Sequence, residues 1–336
     1  MTPAQRAGQL VMVGMTTGGA GAVRRAIAVS HVGSVYYAGG WQGSAAVSAA
    51  SAAVQAQASS TGSPGLLVAA DQEGGQVQEL RGSGFPAIES ATAQARMSPA
   101  ARTAYAASFA RSLHAAGLNL DLAPVADTVP AAIGTRNAPI GAFHREYGSD
   151  PGVVAGAVGD VVRGMRSSQV AATLKHFPGL GRITNNTDTS STGITDPVAS
   201  TTDPYLGPFA AGISAGAQAV MVSSARYPRL DAQQPAVFSR AVVTGLLRGR
   251  LGFAGLVITD DVDTPALAAT PVGERAVRFV QAGGDVLLTA APDLAPGLTR
   301  GLLTRMTADR AFSGVVETAV RRVLATKAGL GLIRCR

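Results

Sequence analysis

The stretch Leu256-Val257-Ile258-Thr259-Asp260-Asp261, entered through Gly255, decides the fold. Four apolar or β-branched residues run into two acids, which is the pattern of a strand buried on both faces in a parallel sheet. The carboxylates fall at its C-terminal end, where parallel α/β folds gather their chemistry. Asp260 is therefore a candidate nucleophile or base. The competing reading is that Asp261 or Asp263 caps the next helix.

Working outward, seven more strand-like runs appear, at 9–14, 33–38, 66–70, 118–122, 170–177, 217–223 and 285–289. Ala-rich helical stretches lie between them, among them 45–58, 99–116, 151–166, 204–215 and 239–250, and a basic helix over 310–330 closes the chain. Eight alternating β/α units predict a (β/α)₈ barrel of the TIM type, as one domain over residues 1–336. An open doubly wound sheet is the rival. The glycines at 18–21 lack the spacing and the later acid of a dinucleotide site, so nucleotide binding is not expected. At the N-terminus, Thr2 caps a helix with Pro3 at its first position and Gln5 completing a capping box.

The 336 residues are 46% hydrophobic, enough for a large core, with only 5% aromatics. The net charge is +7, almost all of it from arginine; the only lysines are Lys175 and Lys327. No basic block is interleaved with aromatics, so an Arg-rich surface is expected and a nucleic-acid partner is not. The lone Cys335 excludes an internal disulfide or a cysteine metal site. No apolar run is long enough to span a membrane. No signal peptide is read at the N-terminus.

The barrel reading carries its own check, because polar groups should gather where strands end. Asp71 follows 66–70, Asp121 closes 118–120, Lys175 and His176 end 170–174, Ser223 and Ser224 end 220–222, and Asp260 ends 256–259. Asp71-Gln72-Glu73-Gly74-Gly75 reads as a tight turn or as a loop whose glycines let backbone approach a ligand. His176 reads as a rim donor or as a satisfied core histidine. Carboxylates, lysine and histidine on one rim suit a polyhydroxylated substrate. Zinc, phosphate-loop and Ser-His-Asp patterns are absent, so no metal or cofactor is expected.

These residues resemble glycoside hydrolase family 3, most closely its single-domain β-N-acetylglucosaminidases. The matching stretches are A-A-D-Q-E-G-G-Q-V-Q at 69–78, L-D-L-A-P-V-A-D at 120–127, K-H-F-P-G at 175–179, M-V-S-S-A-R-Y-P at 221–228 and L-G-F-A-G-L-V-I-T-D-D at 251–261. The likeness runs nearly end to end. It implies a retaining exo-glycoside hydrolase that releases β-linked N-acetylglucosamine from cell-wall, muropeptide or chitin fragments through a covalent intermediate. The implied nucleophile is Asp260. The implied sugar contacts are Asp71, Lys175 and His176, with Arg145 in R-E-Y-G-S-D-P carrying the family arginine. The expected partner is a carbohydrate, the chain acts as a monomer, and export to the cell envelope is favoured over the cytoplasm.

The chain departs from the family after K-H-F-P-G. The family continues with His-Gly-Asp and an Asp-Ser-His triplet whose last histidine is the acid/base. Here the run is Gly179-Leu180-Gly181-Arg182, then Asn185-Asn186-Thr187-Asp188-Thr189-Ser190, and no histidine follows His176. Gln76 stands where the family often has arginine. Asp188, the only acid of the 178–194 loop, is the candidate acid/base, with Asn185 and Asn186 placed to orient it and Arg182 placed to pair with it. The alternatives are a β-glucosidase or β-xylosidase of the same family, or a catalytically silent carbohydrate-binding barrel.

Overall fold

The computed structural model describes residues 1–333; Cys335 lies outside them. Eight strands form one sheet: β1 (Val11–Met15), β2 (Ser34–Tyr37), β3 (Leu67–Ala70), β4 (Leu120–Asp121), β5 (Ala171–Phe177), β6 (Ala219–Val222), β7 (Leu256–Asp261) and β8 (Val286–Thr289). Their spatial order is β3-β2-β1-β8-β7-β6-β5-β4, with every hydrogen-bonded neighbour parallel. The circle closes between β3 and β4. There Asn119 donates its backbone N–H to Val68 O (3.0 Å) and Leu122 donates to Ala70 O (2.9 Å). The Asn119 side chain also accepts from Val68 N at 3.0 Å. The expected (β/α)₈ barrel is the fold, and the open sheet is excluded.

A helix follows each strand in turn: Ala20–Ser30, Ser44–Ser60, Pro99–Ala115, Pro151–Ser167, Gly207–Ser214, a π-wound Ala241–Arg250, Val272–Ala282 and Ala295–Ala308. Helix Arg310–Gly329 then packs across the outside. The first strand begins later than the sequence suggests. Gln9 ends helix Pro3–Gln9, whose capping box joins Thr2 and Gln5. The strands are buried along almost their whole length, as sheets covered by helices require.

The arginine excess has a structural use as well as a surface one. Arg102 pairs with Asp160 at 2.6 Å, while Arg248 and Arg322 hold opposite oxygens of fully buried Asp285. Asp285 also accepts from Val257 N at 2.8 Å, which fixes the entry of β7.

Candidate active site

Two strand irregularities shape the rim. Successive side chains of a regular strand point to opposite faces, so Lys175 and His176 should part. Between β5 and β6, however, Val220 pairs with Leu174 and Val222 with Phe177, which leaves an extra residue on β5. The bulge lets Lys175 and His176 face the same cavity. The β7–β8 pairing shifts likewise between Ile258 and Asp261, and Asp260 and Asp261 both reach that cavity. Its volume is about 420 Å³, and its walls include Asp71, Arg145, Lys175, His176, Asp188 and Asp260. All six residues singled out from the sequence thus meet at the C-terminal end of the barrel.

Under the cavity lies a buried ion network. Lys175 bonds Asp71 and reaches Glu73 Oε1 at 2.6 Å. Arg145 grips Glu73 with Nε and Nη2, both at 2.7 Å, and donates Nη1 to Pro139 O at 2.7 Å. Burial opposes ionisation of Glu73, yet Arg145 and Lys175 outweigh it and hold the carboxyl at about 2. Lys175 resists desolvation in the same way, because Asp71 and Glu73 raise its pKa. Glu73 is the residue the sequence reading passed over; nothing local marks it as the bridge between two cations. It sits in a short hairpin, Gln72–Gly74 against Val77–Gln78, entered by Gly74 at φ +104°. A side chain on Gly74 would meet Glu89 O at 2.2 Å.

The opposite wall rests on Asp127, at the end of L-D-L-A-P-V-A-D. Asp127 Oδ2 contacts His176 Nδ1 at 2.7 Å, and Oδ1 accepts from Leu180 N at 2.8 Å. The contact fixes the ring and leaves Nε2 for the cavity. Neighbouring Asp121 is fully buried, with Oδ1 accepting from Gln72 N (3.1 Å) and Oδ2 unpartnered. Burial pushes its carboxyl up to about 8. At neutral pH it is mainly protonated, which spares the site one more negative charge.

Asp260 and its neighbour diverge. Asp261 caps no helix: Oδ1 accepts from Asp263 N (2.8 Å) and Oδ2 from Ala290 N (3.2 Å), tying β7 to the loop after β8. Helix Val272–Ala282 has no side-chain cap, so Asp263 does not cap it either; Asp263 lies 3.6 Å from Arg275. Among the described residues, the Asp260 carboxylate accepts only from the N–H of Asp261 (3.0 Å). Desolvation pushes its carboxyl up to about 7, with the charge of Asp188 adding to the rise and His176 opposing it.

The sequence model of the glycosyl hydrolase family 3 N terminal domain matches residues 3–326. The chain belongs to glycosyl hydrolase family 3. A β-hexosaminidase from Xanthomonas oryzae pv. oryzae is 38% identical over 237 residues, 68% of either chain. A β-N-acetylhexosaminidase from Beutenbergia cavernae superposes with a TM-score of 0.95 at 44% identity, over 98% of this chain and 99% of its own. A family 3 β-N-acetylglucosaminidase from a Paenibacillus species superposes at 0.89 and 29% identity, over 100% of this chain and 64% of its own.

Within this family 3 glycoside hydrolase, the 178–194 loop is held at its base and open at its tip. Buried Asn137 donates to Leu180 O (2.7 Å) and Ile183 O (2.8 Å). Arg182 does not pair with Asp188. It grips Asp203 (2.5 and 2.9 Å), reaches Asp196 at 3.3 Å and lies over the Tyr205 ring, which pins the outer half of the loop. Asn185 turns away to Thr192 O, while Asn186 accepts from Asp188 N at 3.0 Å. Asp188 is exposed at the mouth of the cavity, and only one of the two asparagines orients it.

Proposed function

We propose that this glycoside hydrolase removes β-linked N-acetylglucosamine from non-reducing ends by a retaining route, with Asp260 as the nucleophile. The observation that carries the reading is the place of Asp260. It stands at the end of β7 with little to hold its carboxylate, across the cavity from Asp71, Arg145, Lys175 and His176. These groups suit the hydroxyl and amide pattern of one sugar ring, each charged hydrogen bond contributing roughly 1.5–3 kcal/mol when buried. The relatives bearing the β-hexosaminidase name support N-acetylglucosamine as that sugar.

In the first step the Asp260 carboxylate attacks the anomeric carbon, the glycosidic bond breaks, and the departing oxygen takes a proton. In the second, water loses a proton to the same acid/base and displaces Asp260. We assign the proton transfers to Asp188, the acid of the loop where the family carries its histidine. A carboxylate there repels phosphate as an attacking group, so the product is the free sugar and not a sugar phosphate.

The test is a panel of aryl β-N-acetylglucosaminide, β-glucoside and β-xyloside with Asp260→Asn beside the wild type. The N-acetylglucosaminide should be cleaved fastest. The variant should lose activity on the order of a thousandfold or more while still binding the sugar. Faster cleavage of the glucoside would replace the substrate assignment. Sugar binding with no turnover in the wild type would support the silent binding barrel instead.

A further inference from the structure

We infer that the leaving-group side of the cavity takes a neutral or amine-bearing sugar and rejects one that carries a carboxylate. The inference rests on the proposed function and narrows its substrate class from any N-acetylglucosaminide to those of chitin type.

Charge comes first. Five carboxylates line the cavity, Asp71, Glu79, Asp188, Asp260 and Asp261, against the two cations Arg145 and Lys175. Neither cation is an unmatched counter-ion for an anionic ligand, because the charge of Arg145 is met by Glu73 and that of Lys175 by Asp71 and Glu73, although each has N–H groups beyond these contacts for a neutral hydroxyl. Towards solvent the acids dominate. Asp188 is exposed, and Glu79, partly exposed, uses Oε2 for Gly40 N (3.0 Å) while Oε1 has no partner among the described residues. A carboxylate on the ligand would therefore enter a partly desolvated space with like charges and no counter-ion, where repulsion over several ångströms is worth about tenfold in affinity.

Two further groups point to a sugar in this space. Tyr36 is only 7% exposed and lines the cavity, and its phenol has no hydrogen-bond partner among the described residues. Its neighbours are Asp261, Asp71 and Asp260, so it stands as a neutral donor among acceptors. A phenol that opens onto the cavity can donate to a ligand hydroxyl or amide. Phe143 lines the same cavity at 40% exposure and offers an apolar face to the C–H side of a pyranose. A ring with hydroxyl, acetamido or ammonium groups satisfies this set; a lactyl carboxylate does not.

The test compares three disaccharides with N-acetylglucosamine at the non-reducing end: N,N′-diacetylchitobiose, its analogue with glucosamine at the reducing end, and the N-acetylmuramic acid disaccharide. An aryl β-N-acetylglucosaminide serves as the activity control. At low salt, kcat/KM should be at least about tenfold lower for the muramyl compound than for either other disaccharide, and the gap should narrow at 1 M salt, where the Debye length is about 3 Å. Glu79→Gln should raise the ratio of muramyl to chitobiose kcat/KM several-fold, and an unchanged ratio would count against the charge argument. Cleavage of the muramyl disaccharide as fast as chitobiose, with the aryl control active, would overturn the inference alone. An inactive aryl control would overturn the proposed function. Calorimetric binding of the same three ligands would then decide the charge preference, and muramyl binding as tight as chitobiose would overturn it.

Discussion

The two lysines of this chain are both buried, at opposite ends of the barrel, and the protein treats them oppositely. Lys175 sits on the rim at 1% exposure with Asp71 and Glu73 against it, and its pKa is raised despite burial. Lys327, at 0% exposure on the closing helix, meets among the described residues only the neutral Gln9 Oε1 at 2.6 Å, beneath the start of β1. Burial alone pulls it down to about 7. Desolvation is similar in the two places, and the counter-charges decide the outcome. On the rim the fold sets carboxylates against the buried amine, whereas at the other end the buried carboxylate of Asp285 is taken by Arg248 and Arg322 and Lys327 is left near neutrality.

The largest expected effect comes from deleting the compensated lysine. Lys175→Met leaves Asp71 and Glu73 short of a buried counter-ion, which should destabilise the fold by roughly 3–5 kcal/mol. Turnover should fall by on the order of a thousandfold, read with the aryl N-acetylglucosaminide. A variant as stable and active as the wild type would remove the distinction between the two ends.

A smaller effect concerns the proposed nucleophile. In that role Asp260 would attack only when ionised, and burial that pushes its carboxyl up to about 7 makes the competent fraction rise with pH through neutrality. The acidic limb of kcat/KM on an activated aryl substrate should therefore lie near pH 7. Asp188→Asn removes a charge that raises the Asp260 pKa, so the limb should move to lower pH. A limb that stays put would separate the two acids.

The mildest expected change is at Lys327. Its folded pKa of about 7 lies below its ordinary 10.5, so between these values the unfolded chain holds a proton that the folded chain does not. Stability from this group is full above about 10.5 and is lost as pH falls through 7. Lys327→Met removes that dependence. The variant should gain on the wild type most below pH 7 and least above pH 10 in denaturant titrations, with turnover unchanged. Glu73 follows the same direction in a lower window: held at about 2, it contributes stability above pH 4.5 that is lost as pH falls through 2.

The eight strands were legible because buried parallel strands leave continuous apolar runs, and the rim residues because each run stops at a polar group. Long-range pairings were not. Glu73 joins Arg145 across 72 positions, and Asp127 meets His176 across 49. Neither spacing has a local period, so no pattern in the sequence announces them. The 178–194 loop was misread in part for the same reason: Arg182 finds its partners at Asp196 and Asp203, beyond the loop, and not at Asp188 within it. The bulges that bring Lys175 beside His176 and Asp260 beside Asp261 also depend on the neighbouring strand.

The central claim is that Asp260 forms the covalent bond. Incubation with a slow fluorinated N-acetylglucosaminide, followed by proteolysis and mass spectrometry, tests it directly. The account predicts one added sugar on the peptide containing Asp260, fragmenting to that residue and absent in Asp260→Asn. A label on Asp261 or Asp188, or turnover of the reagent with no label on any carboxylate, would contradict it.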